Sequence, residues 1–294
     1  MIKLHVRSLT WEVGALRRAS SASLQRSSQN STLATPCVAV WRWQKHLMRL
    51  NVINLPARAD RRAQFNAWNA RSGLEIVFSE AVVGAALDRA DLRQRGLVAA
   101  DAEHFSAGAL GNALSHHKLW LEAAAATQPT FVCEDDACLR GDFAVQAAGA
   151  LAQIPADWDL VFFGYNTNAI VAVQSRDGLK ALLHFDEGAK RNPTYFTAFA
   201  RDPAPAPTPL HCFQAWGTLA YAISPQGAQR LLKVCFPLSG ANDIFMFGQN
   251  RKLQPYTLDG MINVALQRAP LNAYCLFPPL AVSSNDVAGS DVVS

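Results

Sequence analysis

The stretch Phe131–Leu139 reads FVCEDDACL, an apolar run that breaks into three adjacent carboxylates, Glu134, Asp135 and Asp136. Neighbouring carboxylates repel one another unless a cation or a base neutralises them. In a tight turn, Glu134 and Asp136 bracket Asp135 and can converge on one hard divalent cation, Mg2+ or Mn2+, while that cation bridges phosphate oxygens. The chemistry is diphosphate binding, with Glu134 and Asp136 as metal ligands and Asp135 beside the bound group. A solvated acidic turn is the alternative that these three residues leave open.

Other segments add polar groups. In GALGNALSHHKLW, Gly108 and Gly111 lie three apart, and Ser115 and His116 follow on the same helical pattern. Small residues in a first helical turn admit a ligand close to the backbone, and a helix N-terminus favours phosphate. Core packing is the plainer use of His116, which sits four residues before Trp120. VINLPARADRR ends a strand at Asn54 and reaches Arg58, Arg61 and Arg62; Arg62 is placed to hold a phosphate, or else lies in a solvated helical turn. WGTLAYAIS opens a strand with Gly217 and Thr218, and Asp243 in SGANDIFMF is an acid shortly after a loop, with Asp259 a weaker candidate of that kind.

These residues need elements to position them, and the pattern from Met48 supplies strand and helix in turn. LNVINL reads as a strand ended by Pro56, and RRAQFNAWNARSG as a helix stopped by Gly73. LEIVFSEAVVG gives a second strand, ALGNALSHHKLWLEAAAA a long helix, TFVC a strand, FAVQAAGALAQI a helix and WDLVFF another strand. That order predicts an α/β fold with a mainly parallel central sheet and helices on both faces. In such a sheet ligands bind beyond the carboxyl ends of the strands, where Glu134–Asp136 fall. RDPAPAPTP reads as a surface loop, GTLAYAIS as a strand, and PQGAQRLLKVC as a helix with Pro225 in its first turn.

The chain has 294 residues, half of them hydrophobic, enough for one large domain. No run approaches the ~20 apolar residues of a membrane-spanning helix. The net charge of +4 is no nucleic-acid signal. Residues 1–47 carry Lys3, Arg7, Arg17, Arg18, Arg26, Arg42 and Lys45 against Glu12 alone, which leaves the rest of the chain close to neutral. This Ser- and Arg-rich leader is expected to be disordered or to precede the true start at Met48, with the domain over 48–280 and an irregular tail over 281–294. Six scattered cysteines read as reduced thiols of a cytoplasmic protein.

VINLPARADRR, GALGNALSHHKLW, VCEDDA, WGTLAYAISPQGAQRLL and PPLAVSSNDVAGSD, in this order over residues 49–291, resemble glycosyltransferase family 25, the bacterial lipooligosaccharide β-galactosyltransferase type. The resemblance implies a Rossmann-like nucleotide-sugar-binding fold of the glycosyltransferase A type. It implies inverting transfer of a sugar, commonly galactose from UDP-galactose, onto a lipopolysaccharide core acceptor. Glu134, Asp135 and Asp136 take the part of the metal-binding Asp-x-Asp signature. The family's Gly-Cys-x-x-Ser-His segment falls on Gly111, Asn112, Ser115 and His116, with Asn112 in place of the cysteine and Ala109 in place of a common acid. The cofactor-binding set it implies is Asn54, Arg62, Gly111, Ser115, Asp135, Gly217 and Thr218. Asp243 takes the place of an acid after a proline-containing loop and is the implied base, with His116 second. The implied partners are a nucleotide-sugar donor and a lipid-linked oligosaccharide, met at the inner face of the cytoplasmic membrane. A metal-dependent nucleotidyltransferase or phosphohydrolase, or a silent sugar-binding homologue, are the alternatives.

Overall fold

A computed structural model describes residues 48–202 and 204–285. The expected leader over 1–47, Cys37 and the segment 286–294 lie outside the described residues. The strands in chain order are β1 (Arg49–Asn54), β2 (Glu75–Glu80), β3 (Thr130–Glu134), β4 (Cys138–Leu139), β5 (Leu160–Gly164), β6 (Val171–Gln174), β7 (Lys180–Leu183), β8 (Thr208–Gln214), β9 (Ala220–Ile223), β10 (Ile244–Met246), β11 (Arg251–Leu253), β12 (Ala273–Phe277) and β13 (Ala281–Val282). The α-helices are α1 (Ala59–Asn69), α2 (Arg89–Gln94), α3 (Ala107–Ala125), α4 (Phe143–Leu151), α5 (Tyr195–Arg201), α6 (Pro225–Cys235) and α7 (Leu258–Arg268).

Alternation along the strands sends successive side chains to opposite faces. Ile53, Val132, Phe162, Tyr221 and Ile223 pack into one apolar layer with Trp120 of α3, Leu231 of α6 and Met261 of α7. Val52, Cys133, Val161, Phe163 and Ala222 pack into the other with Phe65 of α1 and Phe143 of α4. Helices therefore cover both faces, as the sequence pattern predicts. Local signals fix their ends: Ser106 accepts from the Ala109 amide at 3.0 Å to start α3, and Ser224 accepts from that of Gly227 at 2.9 Å to start α6.

The large sheet runs β2-β1-β3-β9-β5-β12-β8-β6-β7. β1 pairs in parallel with β2 and β3, and β5 with β12 and β13. The expectation of a mainly parallel sheet needs correcting, because β9 lies antiparallel between β3 and β5, and β8 is antiparallel to both β12 and β6. The sheet is mixed. A second correction concerns the tail, since Ala281–Val282 pair with β4 and β5 instead of opening an irregular segment. The described cysteines, Cys133, Cys138, Cys212, Cys235 and Cys275, are free and buried. No helix among the described residues is long and apolar enough to cross a membrane.

Candidate active site

Strand direction decides what meets at the sheet edge. β1, β3 and β5 deliver their carboxyl ends there, and antiparallel β9 delivers its beginning, so Ile53, Glu134, Asn166 and Thr218 come together from four segments. They line a cavity of about 690 Å3 with Arg61, Asn112, Ser115, Asp135, Asp136, Trp216, Gly217, Arg251 and Asp259.

Glu134 is the most heavily held of these groups. Its Oε1 accepts from Thr218 Oγ1 at 2.6 Å, Asn112 Nδ2 at 3.1 Å and His116 Nε2 at 3.3 Å. Among the described residues no hydrogen bond reaches Oε2. Burial opposes ionisation of Glu134, but these donors and the imidazole outweigh it and hold the carboxyl below its usual value. Behind it, Trp120 Nε1 donates to the Tyr221 hydroxyl at 2.8 Å, which leaves that hydroxyl to donate to His116 Nδ1 at 2.8 Å. His116 then presents Nε2–H to the ionised Glu134. Completely buried, His116 does not line the cavity; it orients Glu134.

The next two acids are treated differently. Asp135 accepts from Asn54 Nδ2 at 2.7 Å and pairs with Arg61 at 3.2 Å, which ties the turn after β3 to the end of β1. Burial raises its pKa despite those partners. Asp136 has a buried Oδ1 with no hydrogen-bond partner. Burial, and then the charges of Glu134 and Asp135, push it up to about 7. A buried, unpaired, electron-rich oxygen beside two other carboxylates is costly unless something positive meets it.

The model of glycosyltransferase family 25, described as an LPS biosynthesis protein, matches residues 48–246. The chain belongs to glycosyltransferase family 25. No curated protein matches it.

Placed on the geometry, the residues singled out by the family pattern separate. Ser115, Glu134, Asp135, Asp136, Gly217 and Thr218 line the cavity. Asn54 stands behind it, holding Asp135. Gly111 serves packing: a Cβ there would lie 2.7 Å from the Val82 carbonyl and 2.8 Å from the Gly84 amide nitrogen. Arg62 lies with its guanidinium 4.2 Å from the Phe78 ring centre, outside the cavity, while Arg61, one step along the helix, lines it. Asp243 is absent from the lining; its carboxylate pairs with Lys252 at 3.2 Å on the surface, 43% exposed. Asp259, the weaker sequence candidate, lines the cavity, and its Oδ2 accepts from the Gly217 amide at 2.7 Å. Gly217 adopts φ +81° to make that contact. Asn112, which departs from the family cysteine, gives Glu134 one of its three donors. Arg251, Trp216 and Tyr256 also reach the cavity; Trp216 opens the WGTLAYAIS segment, and nothing in the local sequence marks Arg251 or Tyr256.

The metal expected from the acidic cluster can be tested on this geometry. Among the described residues no three His, Cys, Asp or Glu side chains are grouped so as to form a cage. Mg2+ and Mn2+ sites next to phosphates need only one or two carboxylates, the substrate supplying other oxygens. The unpartnered Asp136 Oδ1 and the uncommitted Glu134 Oε2 fit that requirement.

Proposed function

We propose that the cavity binds a nucleotide-sugar donor, with UDP-galactose the first choice, and passes its sugar with inversion to a lipopolysaccharide core acceptor. Family membership supports glycosyl transfer in lipopolysaccharide synthesis. The single observation that carries the site assignment is the orphaned Asp136 Oδ1, in a cavity that gathers Glu134, Asp135 and Asp259 with Arg61 and Arg251. In our reading the chain has the glycosyltransferase A topology and lies at the inner face of the cytoplasmic membrane, where a lipid-linked acceptor is presented.

Asp136 and Glu134 would hold the divalent cation, which when bound supplies positive charge to the departing diphosphate. Arg61, anchored on Asp135, and Arg251 add cationic donors at the cavity wall. Thr218, Asn112 and His116 keep Glu134 ionised and fixed in one orientation, so that it needs no rearrangement when the donor arrives. An inverting transfer also needs a base for the acceptor hydroxyl. Asp243 faces Lys252 outside the cavity and His116 has both ring nitrogens engaged, so we assign the base to Asp259. Burial raises the proton affinity of Asp259, which suits the role.

The test is to incubate the full chain with a panel of UDP-sugars and Mn2+ and measure released UDP, with and without lipooligosaccharide. Acceptor-stimulated UDP release is the expected result. Release of phosphate or pyrophosphate would move the protein to a phosphohydrolase or nucleotidyltransferase chemistry, and donor binding without turnover would make it a sugar-binding homologue.

A further inference from the structure

A second cavity of about 260 Å3 lies beside the first, lined by Phe185, Tyr195, Phe199 and Phe277 together with Glu187 and Lys190. Its size is just below the roughly 300–1,000 Å3 of sites that enclose a whole small molecule, and suits one ring of a longer ligand. The two cavities are neighbours. Asn166 lines the first and Thr167 the second, and Asn285, which lines the first, donates to Glu187 of the second at 2.7 Å.

The charges around the second cavity are already matched. Lys190 Nζ spends its three N–H groups on Thr167 Oγ1 at 2.6 Å, Glu187 Oε1 at 2.5 Å and the Ser283 carbonyl at 2.7 Å. The buried Arg140 guanidinium is engaged by Asp142 and the carbonyls of Ala204 and Pro205. Among the described residues that line it, no cation is left over to attract a phosphate or a carboxylate. Glu187, by contrast, takes the hydrogen bonds from Thr167, Lys190 and Asn285 all on Oε1, and none among the described residues reaches Oε2. Ring faces offset by a free carboxylate oxygen recognise a neutral polyol. The C–H face of a pyranose lies against the aromatic ring, and a hydroxyl donates a charge-assisted hydrogen bond to the carboxylate. A lipid chain would leave Glu187 Oε2 unpaired, and a flat aromatic ligand would have no hydroxyl to offer it.

We infer that this second cavity is a saccharide subsite that holds a neutral pyranose ring of the acceptor, with Phe277 and Phe199 as stacking faces and Glu187 as hydroxyl acceptor. The inference rests on the first cavity being the donor site, which the shared wall of Thr167, Glu187 and Asn285 would then separate from the acceptor.

The experiment is saturation-transfer NMR on the full chain with methyl glycosides of galactose, glucose and mannose, each with and without excess UDP. The expected result is saturation of ring protons by at least one glycoside, retained with UDP present, and weakened about tenfold in Phe277→Ala. Phe277 is 42% exposed, and Phe199→Ala, on a separate element, should repeat the loss. Three results overturn the inference: no glycoside is saturated, UDP abolishes the signal, or both variants bind as the wild type does. The UDP-release assay judges the donor reading separately. Failure there with UDP-insensitive glycoside binding here leaves the saccharide subsite standing and removes only the reaction assigned to its neighbour.

Discussion

Asp136→Asn gives the sharpest reading of the acidic turn. In the folded chain, burial and then the charges of Glu134 and Asp135 raise the Asp136 carboxyl from 3.8 to about 7. The folded chain therefore keeps a proton that the unfolded chain has lost, and stability falls as pH climbs from about 4 through 7. At about 1.4 kcal/mol per pKa unit, the decline belonging to Asp136 between pH 5 and 8 comes to about 2–3 kcal/mol. The asparagine variant cannot ionise, so its advantage over the wild type should grow by that amount across the interval. Any fixed cost of burying the amide cancels in the comparison. Glu134 is held below its usual value and titrates at more acid pH, and the raised Asp259 contributes to both proteins alike, while Asp135, whose charge helps to raise Asp136, shares in the same decline. Urea unfolding in EDTA at pH 5, 6, 7 and 8, followed by tryptophan fluorescence, measures it. Mn2+ with UDP should then restore the wild type at pH 8 by linkage and leave the variant unmoved. Parallel pH curves for the two proteins in EDTA would refute the reasoning.

Thr218→Val removes the 2.6 Å hydrogen bond to an ionised partner, and should cost about 1.5–3 kcal/mol in urea unfolding together with a fall in kcat. Gly111→Ala forces a methyl against the Val82 carbonyl and Gly84 amide, and should lower stability by about 1–3 kcal/mol, seen as a shifted urea midpoint at constant slope. Asp259→Asn should reduce kcat about 10²–10⁴-fold with donor binding retained in a UDP titration. Asp243→Asn, at a surface pair with Lys252, should change kcat less than about twofold, and a larger loss would return the base to Asp243.

The main alternation from β1 to β5 was legible because each of these strands is a short apolar run and the helices between them stop at Gly73, Pro129 or Pro155, whereas the short α2 and β4 carry no such signal. Direction was not. GTLAYAIS reads the same whether β9 enters parallel or antiparallel, and what turns it over is the excursion through β6, β7, α5 and β8 before it. The same limit explains the site. Glu134–Asp136 and Thr218 were visible as residue types next to predicted strand ends. That Arg61 and not Arg62 lines the cavity depends on the phase of α1, and that Asp259 lines it while Asp243 does not depends on how β10, β11 and α7 close after α6. Gly111 was read as a small residue that lets a ligand approach, but what meets it is the backbone of Val82 and Gly84, which lies far back in the chain.

The insertion of β9 between β3 and β5 also sets an order of events during synthesis. Until the ribosome has released residues through Ile223, β3 and β5 each present an open edge where β9 will lie, and Glu134 lacks the Thr218 and Leu219 partners that fix its side chain and backbone. A nascent chain of the first 164 residues thus holds the whole acidic turn without the Thr218 side of the cavity. It also carries exposed strand edges that invite pairing with other chains. The cavity is completed later still, because Arg251, Tyr256 and Asp259 of its wall follow β9 in the chain.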